Sequence, residues 1–319
     1  MTILLPVCKP SVISYIHHAN QLSIMEVNPE SRHCLSNYFL QIYCLRDQWN
    51  EIDFYSHEGR YETYPLLTAS WLTTEIAKSY EGGIIGAAVK ILRSGSYIEA
   101  FLDEYYIRAK SAYARTHFPH HNLIYGFSLD KKIFFCQGFI NNGSFAQFQI
   151  TFEEFEHGLR DDLGLYVYNS LPAHDVAGKL IFSPTHAANY LTDFIESKNS
   201  FANFQHSNGI FGAAAYSVAV EQVESNAIDI RSWQIFYEHK LKLVALCRYL
   251  KSEYALIVEP ISDMQQLADD FLEIRNYIIQ TMVQGGCINT KSLARNISII
   301  TNNENRLIAT IISKLQLIC

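Results

Sequence analysis

From about residue 90 to 155 apolar and polar residues alternate with a period of two, a pattern that suits a sheet with one face buried. Tyr97-Ile-Glu-Ala-Phe-Leu-Asp103, Asn122-Leu-Ile-Tyr-Gly126, Lys132-Ile-Phe-Phe-Cys136 and Phe145-Ala-Gln-Phe-Gln-Ile150 each read as a strand rich in β-branched and aromatic residues. Turn-forming pieces punctuate them: Arg93-Ser-Gly95, Ser128-Leu-Asp-Lys131 and Asn141-Asn-Gly-Ser144. Connections this short join antiparallel neighbours.

Helical patterns flank the sheet. Leu35, Tyr38, Phe39, Ile42, Leu45 and Trp49 recur at steps of three and four, which predicts an amphipathic helix over 34–49. Thr151-Phe-Glu-Glu154 has the form of a capping box and predicts a helix start. Further helices are predicted over 211–224, 229–254, 262–283 and 304–317, with breaks at Pro260, Gly285-Gly286 and Asn302-Asn303. The fold class expected is α+β, with a sheet-bearing domain over 1–158 and a mainly helical one over 159–319.

The 319 residues carry a formal net charge of −7 without a cluster of Lys or Arg, which argues against a nucleic-acid partner held through phosphates. Apolar stretches fall short of the ~20 residues of a membrane span, and the N-terminus lacks the order of a signal peptide. The seven cysteines (Cys8, Cys34, Cys44, Cys136, Cys247, Cys287, Cys319) are odd in number and scattered, the pattern of reduced thiols. A soluble cytoplasmic protein is expected.

Two segments carry chemistry. In Asn28-Pro-Glu-Ser-Arg-His-Cys-Leu-Ser-Asn37, Cys34 opens the predicted helix. Free amides and the macrodipole there would favour a thiolate, the form that acts as a nucleophile. In His117-Phe-Pro-His-His-Asn-Leu-Ile-Tyr-Gly-Phe127, His120 heads an apolar strand, where an imidazole can serve as a base. A metal at these histidines is disfavoured, since Pro119 forbids a helical pairing of His117 with His121 and no Cys, Asp or Glu spacing completes a zinc site. Glu238-His239-Lys240 reads as a solvated or salt-bridged helix face.

The order of these pieces resembles the papain superfamily, in particular C39-type peptidases and, closer still, the N-terminal domain of the butirosin acyltransferase family. The matching motifs are His33-Cys34-Leu-Ser-Asn37, Asp103-Glu-Tyr-Tyr106 and His120 leading to Gly126-Phe127. Ile228-Asp-Ile-Arg231, Glu238-His239-Lys240 and Arg248 resemble the helical C-terminal region of relatives from peptide-antibiotic clusters. The resemblance implies a papain-like half, with a Cys-headed helix packed on an antiparallel sheet, and a helical half acting as lid and docking surface. It places the nucleophile at Cys34, the base at His120 and an oxyanion donor at Asn28, with Gln137 or Asp103 orienting the imidazole.

What it implies for function is acyl transfer in secondary-metabolite biosynthesis, of nonribosomal-peptide type. An acyl group would pass from the phosphopantetheine thioester of a carrier protein, through Cys34, to a small amine. The amine would be a diamine if the chain acts like the cysteine-protease-like amide synthetase of closthioamide assembly. No resident cofactor is implied. A cysteine hydrolase (peptidase or thioesterase) using the same residues, and a non-catalytic binding or resistance protein, remain the other readings.

Overall fold

The computed structural model describes residues 1–46, 50–55, 66–160, 164–171, 181–201, 209–256 and 261–319. In chain order the elements begin with β1 (Thr2–Leu4), α1 (Ile16–Met25), α2 (Ser31–Leu35), β2 (Ile42–Leu45), β3 (Glu51–Phe54) and β4 (Leu67–Leu72). There follow α3 (Thr74–Lys78), α4 (Gly83–Arg93), β5 (Tyr97–Asp103), β6 (Pro119–Ser128), β7 (Ile133–Phe139) and β8 (Phe145–Thr151). Next come α5 (Phe152–Gly158), β9 (Leu165–Ser170), α6 (Pro184–Glu196), β10 (Gly209–Phe211) and α7 (Ala215–Glu224). The long helices α8 (Ile230–Tyr254), α9 (Ile261–Val283) and α10 (Thr290–Leu315) complete the order. No helix among the described residues is long and apolar enough to cross a membrane.

The fold is mixed α+β and forms two compact units, Met1–Ser31 with Thr63–Leu180 and Arg32–Glu62 with Ile181–Cys319. This differs from the division expected at 158/159. The segment 32–62 supplies β2 and β3 to a three-stranded antiparallel sheet of order β10-β2-β3, so it belongs with the helical region far along the chain.

The first unit is built on a seven-stranded antiparallel sheet of order β4-β9-β5-β6-β7-β8, with β1 also paired to β6. The four strands read from alternation are β5 to β8. One sheet face is closed by α3, α4 and α5 over a core that includes Ile84, Ala88, Leu92, Ile98, Ala100, Leu102, Ile124, Phe134 and Phe155. Side chains alternate along a strand, so Glu99, between Ile98 and Ala100, faces the other side, where Asn20 of α1 bonds to it. β6 pairs β5 through residues 119–124 and β1 through 126–128. At the changeover an added Cβ on Gly126 would lie 2.4 Å from the Ile3 carbonyl oxygen, so only glycine lets β1 close there. Thr151 and Glu154 form the capping box expected at the start of α5.

In the second unit the helix predicted over 34–49 is absent among the described residues, 34–46. Its residues form the short α2 and the strand β2, and Trp49 lies outside the described residues. Phe39 adopts φ 65°, a left-handed conformation that ends any helix, and its ring meets Phe54 of β3 edge-on at 5.1 Å. The break at Gly285-Gly286 falls between α9 and α10, whereas Asn302-Asn303 sits inside α10. Pro260 lies outside the described residues.

Glu238, His239 and Lys240 are buried on α8 rather than solvated. Lys240 Nζ donates to Tyr216 Oη at 2.6 Å and to His239 Nδ1 at 2.7 Å, and pairs with Glu304 of α10. The rings of Phe194 and Phe271 flank the ammonium at 5.1 and 5.0 Å.

Candidate functional site

The register of β5 against β6 decides which carboxylate meets which imidazole. Residues directly opposite point to the same face, and the next neighbour on that face is the diagonal one, two residues along. Leu102 lies opposite His120, which makes Glu104 the diagonal partner of His120. Asp103 lies opposite Pro119 and is diagonal to His117; Phe101 lies opposite His121, to which Glu99 is diagonal. All three diagonals hold a carboxylate–imidazole contact, at 2.6, 3.3 and 2.8 Å.

His120 Nδ1 lies 3.3 Å from Glu104 Oε1, with its side chain 28% exposed. Lys110 is buried under Glu104, its Nζ 3.1 Å from the same oxygen and donating to the Phe139 carbonyl at 2.7 Å. Burial pushes the Glu104 carboxyl up, but the bond from His120 and the charge of Lys110 outweigh it and hold it below the ordinary carboxylate value. Burial lowers the Lys110 ammonium, partly offset by Glu104. With Nδ1 turned to the Glu104 carboxylate, Nε2 is the ring nitrogen that takes no part in that contact. Glu104 is therefore the acceptor at His120, where Gln137 or Asp103 was expected. Its signal was present in the sequence, one residue beyond Asp103, but depended on the register.

Asp103 is taken by His117. His117 Nδ1 donates to Asp103 Oδ2 at 2.6 Å, and Asp103 Oδ1 accepts from the backbone N–H groups of Tyr105 and Phe118 at 3.1 and 3.0 Å. Burial alone would raise this carboxyl; the bonds from His117 and the two amides bring it below its ordinary value. Gln137, on β7 opposite Leu123, donates through Nε2 to the Cys8 carbonyl at 2.9 Å. His121 Nδ1 lies 2.8 Å from Glu99 Oε1, in contact but without the alignment of a hydrogen bond. Asn20 Nδ2 donates to the other oxygen of Glu99 at 2.8 Å.

Asn28 closes the turn between α1 and α2, its Oδ1 accepting from Glu30 N at 3.0 Å. Cys34 belongs to the second unit, whereas Asn28, Asp103, His120 and Gln137 belong to the first. Cys34 is the fourth of the five residues of α2 and is 1% exposed. It thus sits near the C-terminal end of a helix, where the partial charge is negative, and the expected N-terminal stabilisation of its thiolate does not apply. Its neighbours are engaged: His33 Nδ1 lies 2.9 Å from Tyr249 Oη, and Arg32 pairs with Glu253 at 3.4 Å. Burial pushes the Cys8 thiol up to about 11 and that of Cys247 up to about 12, so both stay protonated at neutral pH.

No protein-family model matches the chain, and no curated protein matches it. The resemblance to papain-like acyltransferases stands on its motifs alone.

Proposed function

We propose that the chain is a thiol-dependent acyltransferase that moves an acyl group from a carrier-protein thioester to a small amine, in the manner of the butirosin and closthioamide enzymes its motifs resemble. The observation that carries this reading is the Glu104–His120 pair, a base with one nitrogen fixed by a carboxylate and the other left for a reacting proton. Aminolysis of a thioester needs such a base, because the attacking nitrogen must shed a proton as the C–N bond forms and the C–S bond breaks. The thioester already carries the activation, so neither a nucleotide nor a metal is required.

The resemblance assigns the acyl-carrying thiol to Cys34. The burial of Cys34 near the wrong end of a short helix favours a second reading, in which the amine attacks the carrier thioester directly. Intact-mass spectrometry of the protein with an acyl-pantetheine thioester, with and without a diamine, separates these outcomes. An adduct that is absent from Cys34→Ala and clears to amide on adding amine is the expected result. Amide without an adduct, from wild type and Cys34→Ala alike, assigns direct transfer. Free acid formed at the same rate with or without amine makes the chain a hydrolase. No turnover with any acyl group removes catalysis and leaves the binding-protein reading.

A further inference from the structure

Lys110 stands behind the His120–Glu104 pair, and the acyl-transfer reading gives it no role. A short turn brings it there: Ile107 N donates to the Glu104 carbonyl at 3.1 Å, and Lys110 N donates to the Ile107 carbonyl at 3.0 Å. Asn141 N donates to the Ala109 carbonyl at 2.9 Å and pins this turn to the connection between β7 and β8. Lys110 Nζ then meets the Phe139 carbonyl at 2.7 Å, Glu104 Oε1 at 3.1 Å and the ring of Phe148, whose centroid is 4.7 Å away. Phe148 lies opposite Cys136 and Cys136 opposite Ile124, which puts Phe148 on the sheet face that His120 shares with Leu102. The cation, the carboxylate and the imidazole therefore stand on one side of the sheet. Exposure rises along the series, from 1% for the Lys110 side chain through 8% for Glu104 to 28% for His120. One oxygen, Glu104 Oε1, is the atom that both the ammonium and the imidazole address.

The contact between His120 Nδ1 and Glu104 Oε1 can be made with the proton on either side. An ionised Glu104 accepts, so the neutral ring carries its hydrogen on Nδ1 and its lone pair on Nε2. A protonated Glu104 donates to Nδ1, and the ring hydrogen then sits on Nε2. An imidazolium carries hydrogen on both nitrogens. Only the first arrangement lets Nε2 take a proton from an attacking amine. Burial pushes the Glu104 carboxyl toward its protonated form. Without a cation beside the carboxylate, the pair keeps one more proton, and wherever that proton sits Nε2 bears hydrogen.

We propose that Lys110 is the positioning residue of this site: its ammonium, held by the Phe139 carbonyl, keeps Glu104 an acceptor and so places the His120 lone pair on Nε2. The use made of that lone pair rests on the acyl-transfer reading above, whereas the tautomer is a property of the folded chain alone. In the transfer a neutral amine nitrogen attacks the thioester carbonyl carbon and forms the C–N bond, and His120 Nε2 takes the proton that this nitrogen sheds. The C–S bond breaks, and the leaving thiolate takes the proton back from Nε2, giving amide and thiol. Lys110 exchanges no proton in this sequence; it acts through Glu104.

The test reads the tautomer directly. In protein labelled with ¹⁵N-histidine, long-range proton–nitrogen correlation at about pH 8, where an ordinary imidazole is neutral, reports which ring nitrogen lacks hydrogen. The signal missing from His120→Gln is that of His120. Wild type is expected to show the His120 lone pair on Nε2. Lys110→Met and Lys110→Gln, the second of which keeps a donor for the Phe139 carbonyl, are expected to show hydrogen there instead. With acyl-pantetheine and hydroxylamine, an acceptor that arrives neutral, both variants should lose about 10²- to 10⁴-fold in kcat at pH 7 with KM unchanged. The loss should shrink as the pH is raised and the extra proton leaves, which a merely structural defect would not do. A wild-type lone pair on Nδ1, or Lys110 variants that keep it on Nε2, overturns the positioning role whatever the rates. If one variant does not fold, the other and the wild-type ring decide. The expected tautomers with no transfer by wild type overturn the acyl-transfer reading and leave the placement of the proton standing.

Discussion

Glu104 serves the His120 imidazole and the Lys110 ammonium with one buried carboxylate, and that double duty makes it a sensitive residue of the first unit. Replacing it by Gln would leave the Lys110 ammonium, 1% exposed, without a carboxylate among its partners in the described residues, where it faces neutral oxygens such as the Phe139 carbonyl. Breaking a buried pair on one side costs about 3–5 kcal/mol, so Glu104→Gln is expected to lower the urea midpoint strongly. Adding Lys110→Met should restore part of the loss, because the unpaired charge is then gone. Equal midpoints for Glu104→Gln and wild type would show that the pair is solvated. The sequence showed the acids and imidazoles concerned, and Asp103 was a natural choice as partner for His120. Which acid serves which imidazole depends on pairing Leu102 with His120 and Asp103 with Pro119. A shift of one residue in that register would exchange the partners.

Elements were legible where a pattern had one interpretation. β5 has the bounds read from alternation, and α8 begins one residue after its Asp229 cap, whose side chain accepts from Arg231 N. The stretch 34–49 failed because residues 39 to 44 are all buried; a buried strand and a helix stripe then look alike. Helix ends store conformational strain that sequence reading does not reveal. Ala255 caps α8 in the left-handed conformation, φ 52°, with its side chain exposed. Glycine adopts that conformation without a Cβ clash, though it also loosens the unfolded chain. Ala255→Gly is therefore expected to stabilise the protein by roughly 0.5–1 kcal/mol, read as a rise in the urea midpoint. A fall would show that the φ angle at this cap relaxes freely.

At the scale of the whole molecule, the buried group of His239, Lys240, Tyr216 and Glu304 ties α7, α8 and α10 of the second unit together. His239 is held well below its ordinary 6.5, first by burial and then by the charge of Lys240, against the bond from Nε2 to the Leu40 carbonyl. With the folded value below the unfolded one, the unfolded chain takes up the proton first as the pH falls. The contribution of His239 is intact above 6.5 and is lost progressively as pH drops below it toward the folded value. Urea midpoints are thus expected to fall between pH 7 and 5, with one proton contributing a slope of up to about 1.4 kcal/mol per pH unit. His239→Asn keeps an acceptor for Lys240 and should flatten that dependence; an unchanged slope would place its origin elsewhere.

By itself the sequence determined the mixed class, the antiparallel run from β5 to β8, the capping box of α5 and the positions of α8 and α9, but not the first half of α10. These follow from local periodicity and from turn and cap chemistry, which act within a few residues. Tertiary structure decided the rest. It took residues 32–62 into the second unit through pairing with β10 and turned Glu238-His239-Lys240 inward around a charge supplied by Glu304. It also divided three histidines among Glu99, Asp103 and Glu104. In each case the deciding contact joins residues distant in the chain or depends on register, and the free energy of such contacts is not written in any local pattern.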